Sequence, residues 1–328
     1  MIILKNCDVC GTLNFKENNY CTHCGNKFIL EHVCPYCGSV NENYTVYCVN
    51  CNRQINPIEI DDFDVLFTEY NENLLLNAQI TDEEYNELLR DIFLRADFTE
   101  IHGSTIKDKI LNLASIFAPC KTKARGYERG FIFLGNYIFY DDRLDESVQI
   151  ATIIHELAHY LLFSIIEELL CCILNVKTSS TLQSFIWYFL TLPEFKIMNE
   201  YCAHTVEGRF IPYGYQNYGS FKLLIENTPF DDDSIRTMEK FGNSFANELI
   251  VYLEKYIDDD LRQEIKLQYK LDLKNPNYDS IVNETVDCFP LNIKNSLLIK
   301  ILHDVLKESS NPEVIEELKN IKEGIDFN

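Results

Sequence analysis

Cysteine spacing constrains this chain more than any other feature. Cys7, Cys10, Cys21 and Cys24 recur as Cys34, Cys37, Cys48 and Cys51, each 27 positions further on. The result is an internal duplication, with two C-x2-C pairs per unit and ten residues between the pairs. A C-x2-C turn brings two thiolates to one side of a tetrahedral zinc ion, and two such turns complete a four-thiolate site. Gly11, Gly25 and Gly38 follow the second cysteine of three pairs and Asn52 follows the fourth. These residue types tolerate the left-handed backbone that such turns need. The short β-prone segments LNF and VNENYTV are enough for a two-stranded ribbon in each unit. One ion per 27-residue unit is expected in preference to a crossed arrangement, because closing a short loop costs less entropy. His23 and His32 are expected to be bystanders, since eight thiolates already satisfy two ions.

Charge separates the rest of the chain from this head. The 328 residues carry a net charge of −22. Residues 1–55 hold four basic and four acidic side chains, so the whole excess belongs to residues 56–328. Such a surface argues against coating nucleic acid, whose phosphates need a positive partner. Only four apolar residues precede Lys5, too few for a signal peptide. The apolar run 161–176 is broken by Glu167 and Glu168, so no membrane span is expected. Clustered cysteines without a secretory signal suggest metal more than disulfides and a cytoplasmic location. A 46% hydrophobic composition gives enough material for a packed core.

Residues 155–159 read His-Glu-Leu-Ala-His. On a helix, positions i and i+4 share a face, so His155 and His159 can hold one zinc ion while Glu156 addresses the attacking water. Ile150, Ile153, Ile154, Leu157, Leu161 and Leu162 continue a helical apolar pattern through the motif, and Asp145 can cap its start. Upstream, FIFLGNYIFYDD (131–142) reads as two strands about a Gly135-Asn136 turn. A strand beside the motif helix could pair with an extended peptide.

A catalytic zinc ion normally has three protein ligands and one open position. The third ligand is expected within PEFKIMNEYCAHTVEGRF, where Pro193 and Glu194 open a helix and Glu200, His204 and Glu207 share a face. Glu200 is the first choice and His204 the alternative, with the other acting beside the ion. Glu167 and Glu168 lie about 12 Å further along the motif helix, too far to reach the ion. The donor for a developing oxyanion is expected to be His204 or one of Tyr213, Tyr215 and Tyr218. Arg209 reads as an ion-pair partner.

Two resemblances follow. Residues 7–55 resemble the double zinc ribbon family. HELAH with the downstream Glu-Tyr-x-Ala helix is similar to the gluzincin zinc metallopeptidases, especially compact bacterial ones of the ImmA/IrrE type, over roughly residues 127–210. That resemblance implies a zincin-like fold, His155, His159 and Glu200 as zinc ligands and Glu156 as general base. His204 stands where thermolysin-like members have an aspartate, a departure from the pattern. The implied function is hydrolysis of a protein or peptide substrate, with one catalytic and two structural Zn2+.

The expected organisation is α+β, mostly α: ribbons over 1–55, a linker over 56–80, a metallopeptidase core with a small sheet over 81–230, and a helical region over 231–328. Helices are expected at 81–98, 104–117, 232–257, 258–271, 291–308 and 312–323, several of them opened by capping acids. His102 and His303 read as ordinary histidines, and Cys171-Cys172 as packed. The ribbons are expected to contact a protein partner or substrate. Two rival readings are a non-catalytic interaction protein on the same scaffold and a protease associated with nucleic acid.

Overall fold

The computed structural model describes residues 4–6, 9–15, 21–25, 31–34, 37–42, 45–67, 75, 78–123, 126, 128–273, 275–276 and 286–327. Two compact units emerge, one formed by Met1–Glu59 with Asn175–Lys177 and the other by Ile60–Leu174 with Thr178–Asn328.

The first unit repeats itself. Strands β1 (Leu4–Asn6) and β2 (Leu13–Phe15) pair antiparallel, and so do β3 (Glu31–Val33) and β4 (Val40–Glu42). Leu4 faces Phe15 and Glu31 faces Glu42, so the 27-residue offset holds in register as well as in sequence. Gly11, Gly25, Gly38 and Asn52 all adopt positive φ, between 55° and 72°, as their places after the cysteines required.

The second unit is mostly helical with one small sheet, in keeping with an α+β, mostly α reading. Its elements run α1 (Phe63–Val65), α2 (Asp82–Asp97), α3 (Ile106–Phe117), β5 (Cys120–Thr122), β6 (Gly130–Phe133), β7 (Tyr137–Tyr140), α4 (Glu146–Leu174), α5 (Ser180–Thr191) and α6 (Pro193–Phe210). Then come α7 (Gly219–Glu226), α8 (Asp232–Leu253), α9 (Asp259–Asp272), α10 (Leu291–Glu308) and α11 (Pro312–Asp326). Capping residues set most of the boundaries. Thr81 and Glu84 form a capping box, while Asp231 and Asp258 accept from Ser234 N–H (2.8 Å) and Leu261 N–H (2.9 Å).

Helix α4 is the axis of this unit, and α3, α5, α6 and the sheet pack around it. By length and composition it could cross a membrane, yet Ile150, Ile153, Leu157, Leu161, Ile165 and Leu169 are all fully buried in this fold. Its first turn is capped from a distant element: Ser147 N–H donates to Asp272 of α9 at 2.9 Å. The sheet order is β5-β7-β6, with β5 parallel and β6 antiparallel to β7, which puts β6 at an edge. The β6–β7 turn centres on Leu134-Gly135 (φ 49° and 72°), one residue earlier than the expected Gly135-Asn136. A Cβ on Gly135 would lie 2.8 Å from the Phe163 ring, so close packing on α4 fixes where the glycine must sit. Helices α6 and α8 approach as closely: a Cβ on Gly242 would lie 2.6 Å from the Met198 carbonyl.

Candidate metal centres and active-site cleft

In the first unit, the sulfurs of Cys34, Cys37, Cys48 and Cys51 lie within 4.8 Å of one another. The equivalent group contains Cys10, Cys21 and Cys24; Cys7 lies outside the described residues. Each group draws on one 27-residue unit, which is the sequential arrangement. Backbone N–H groups, led by that of Cys24, hold the Cys21 thiol down at about 6 against the effect of burial. Hydroxyl and backbone donors of Ser39 hold Cys37 at about 5. Four soft sulfur donors fit a thiophilic metal ion, although, against the pull of the Arg53 backbone N–H, burial and the neighbouring thiols push Cys51 up to about 11. His23 is exposed, and the side chain of His32 lies outside the described set.

The second centre is built where α4 crosses α6. His155 and His159, one helical turn apart, present their Nε2 atoms 3.1 Å from each other. Glu200 of α6 brings Oε2 to 3.6 Å from His155 Nε2 and 3.9 Å from His159 Nε2. Three donors about 2.1 Å from one tetrahedral ion would stand about 3.4 Å apart, so the spacing fits. The outer nitrogens are also engaged: His155 Nδ1 meets Glu207 Oε2 at 3.1 Å and His159 Nδ1 meets Asn199 Oδ1 at 2.6 Å. Acceptors on Nδ1 select the tautomer whose Nε2 lone pair points inward.

His204 is placed differently. Its Nε2 meets Ser220 Oγ at 2.9 Å, its Nδ1 lies 3.4 Å from Glu207 Oε2, and it is 4.0 Å from Glu200. The group that contains both motif histidines is completed by Glu200, whereas His204 belongs to a second group with His155 and Glu207.

Glu156 is 6% exposed, and strand β6 lies directly over it. A Cβ on Gly130 would stand 3.1 Å from Glu156 Oε1 and 2.4 Å from Thr152 Cγ2, so only glycine allows the strand to run this close. Burial, together with the carboxylates of Glu200 and Glu207, pushes the Glu156 carboxyl up to about 7 against the pull of His155 and Lys123. Burial lowers His159 to about 4. Burial alone would raise Glu200 and Glu207, yet both stay below the usual carboxylate range because histidines hydrogen-bond to them.

A cleft of about 730 Å3 opens over this centre. Edge strand β6 supplies Gly130, Phe131 and Ile132 to its wall; Phe163, Trp187 and Leu190 add apolar lining; and Lys196, Asn217 and Ser220 add polar groups. Of the tyrosines considered as oxyanion donors, Tyr213 is 70% exposed, Tyr215 Oη donates to the Leu273 carbonyl and Tyr218 packs on the His204 ring. None of the three lines the cleft, whereas His204 does. Arg209 pairs with Glu254 at 2.6 Å, as its acidic surroundings suggested. His102 is exposed, His303 is buried, Cys171 is half-buried and Cys172, expected to be packed, is exposed.

Asn199 and Ser220 carried no signal in the sequence, and Glu207 only its place on the Glu200 face. Comparison with family models, curated proteins and solved structures finds no match to this chain.

Proposed function

We propose that this chain is a zinc-dependent metallopeptidase of zincin type, with zinc ribbons that dock a protein substrate or partner. The observation that carries the proposal is the convergence of His155, His159 and Glu200 beside buried Glu156, under an edge strand that opens on a cleft. His155, His159 and Glu200 would hold the catalytic ion, and the four-cysteine units the structural ions. The chemistry that zinc supplies at such a site is Lewis acidity, which activates water near neutral pH and polarises a carbonyl.

The protein's own groups supply the rest. Strand β6 offers its open side to an extended peptide, whose main chain would hydrogen-bond along Gly130–Phe133. Phe163, Trp187 and Leu190 give the cleft an apolar lining for a substrate side chain. Glu156 takes a proton from the attacking water at its carboxylate and returns it to the leaving amine nitrogen. His204, steadied by Ser220 and Glu207, is the donor aimed toward charge developing on the carbonyl oxygen.

A cytoplasmic site of action belongs to the same reading, because none of the described cysteines forms a disulfide. Eight thiolates holding two zinc ions would add about −4 to ribbons whose acidic and basic side chains balance, which disfavours nucleic acid as their partner.

The test is Glu156→Gln in the zinc-loaded full chain, with labelled casein and a random peptide library as probes. Metal content and thermal unfolding should match the wild type while cleavage falls about 10^2- to 10^4-fold. Undiminished cleavage would remove Glu156 from the mechanism. A wild-type chain that cleaves neither probe would favour a non-catalytic docking scaffold.

A further inference from the structure

Each ribbon unit buries one asparagine at the same register. Asn14 and Asn41 are 27 positions apart, as the cysteines are, and are 3% and 4% exposed. In the first unit, Asn14 Nδ2 donates to the Thr12 carbonyl at 2.7 Å and reaches Cys21 Sγ at 3.5 Å. In the second, Asn41 Nδ2 donates to the Ser39 carbonyl at 2.9 Å and reaches Cys48 Sγ at 3.6 Å. The amide oxygens accept from the backbone N–H of Thr22 and of Val49, each at 2.8 Å.

These bonds join the two halves of each site. Thr12 and Ser39 stand two residues after the second cysteine of the first pair, and Thr22 and Val49 directly follow the first cysteine of the second pair. One planar amide therefore ties turn to turn and fixes the spacing of the thiolates across them. The sulfur that it touches is a sheltered one: Cys21 and Cys48 are 3% and 1% exposed, as Cys34 is at 1%, while Cys10, Cys24 and Cys37 are exposed. Cys21 and Cys48 each also receive a backbone N–H at 3.4 Å, from His23 and Asn50 respectively. A buried thiolate needs such donors, because burial removes the water that would otherwise solvate its charge.

We propose that Asn14 and Asn41 are positioning residues of the two cysteine metal sites, each holding one thiolate ligand in place and setting the distance between its two C-x2-C turns. No other side chain does this work as well. Aspartate would put a carboxylate against the thiolate, and alanine would leave Thr22 or Val49 N–H without its acceptor and a buried sulfur with one donor fewer.

The test uses the full chain with both ribbons loaded. Asn41→Asp should speed chelator-driven loss of one metal equivalent about 10- to 100-fold, the range for partners that orient metal ligands, and leave the Asn14 unit unchanged. In the cobalt-substituted protein it should also shift the thiolate-to-cobalt charge-transfer band of one site, which simple loosening of the unit would not do selectively. Asn14→Asp should act on the other equivalent. Unchanged release from both variants would overturn the proposal. If either variant fails to fold, the wild type decides: after cadmium-113 substitution, the Asn14 and Asn41 side-chain NH2 protons should show scalar coupling to cadmium through the sulfur. Absence of that coupling would equally overturn it.

Discussion

His155 belongs to two overlapping groups of metal-ligating side chains, and paired substitutions at Glu200 and Glu207 separate them. In one group His155, His159 and Glu200 are the ligands; in the other they are His155, His204 and Glu207. If the first holds the ion, Glu207 acts on it only through the 3.1 Å bond to His155 Nδ1. Glu207→Gln then removes charge from an orienting partner and leaves an amide oxygen that can still accept. Losses of 10- to 100-fold in affinity are typical of such partners, about 1.4–2.7 kcal/mol. Glu200→Gln instead removes the one anionic donor of the three and should exceed that range. Chelator competition on the full chain, with total metal measured after dialysis, gives both numbers. The wild type should hold about three ions, Glu200→Gln about two, and Glu207→Gln about three with the histidine-site ion more easily withdrawn. Circular dichroism of each variant excludes unfolding as the cause. The reverse order, with Glu207→Gln losing an ion that Glu200→Gln retains, would refute the assignment and place the ion with His204.

Metal removal should act unevenly along the chain. The described apolar cluster of the first unit is Cys34, Cys48 and Ile55 with Cys51 packed against it, mostly ligands themselves, so chelation should raise hydrogen exchange across residues 4–59. Equal protection with and without metal would show that the ribbons fold unaided. In the second unit, Lys294 is fully buried, with Nζ 2.6 and 2.7 Å from the Glu248 oxygens and 2.7 Å from Tyr85 Oη, and burial pushes its ammonium down to about 8. Lys294→Met should cost about 3 kcal/mol in urea unfolding, the low end for a broken buried pair because Glu248 keeps 19% exposure. Adding Glu248→Leu should recover most of it, and a double variant as unstable as the single would contradict the pairing.

What the sequence disclosed follows how local each feature is. The cysteine units needed one residue type at fixed spacing, with glycine or asparagine after the second cysteine of each pair, and every geometric consequence lies within a few residues. His155 and His159 were equally legible, because one turn of helix sets their relation. Glu200, 41 positions from His159, was reached through its helical spacing from His204 and Glu207 and through the resemblance that its Glu-Tyr-x-Ala helix carries. Asn199 and Ser220 were beyond reach, as their roles depend on the rotation of α6 against α4 and on where α7 begins. The hairpin turn was misplaced by one residue because the deciding contact, Gly135 against Phe163, joins two elements. Lys294 carries no signal of its own, since its partners Glu248 and Tyr85 lie 46 and 209 positions away.

The electrostatics of the α4–α6 crossing add a second argument for a cation beside the HELAH spacing. Glu156, Glu200 and Glu207 converge on three imidazoles between helices whose other facing residues are largely apolar, and burial opposes each of their charges. Protons can relieve such a cluster, but they would occupy the groups that hydrolytic chemistry needs unprotonated. Asn199 limits that route. Its Oδ1 accepts from His159 Nδ1 at 2.6 Å, so His159 Nε2 carries a lone pair. Glu207 likewise accepts from His155 Nδ1, and against burial the hydrogen bonds to Glu200 and Glu207 raise that imidazole well above its ordinary range. Without an ion, a proton on His155 Nε2 would therefore stand 3.1 Å from that lone pair with a Glu200 oxygen on the same side. Two nitrogen lone pairs and a carboxylate facing one another repel unless a positive charge lies among them. A single proton can satisfy only one pair of those atoms, whereas a divalent ion satisfies all three and leaves Glu156 outside its ligand set, available as a base.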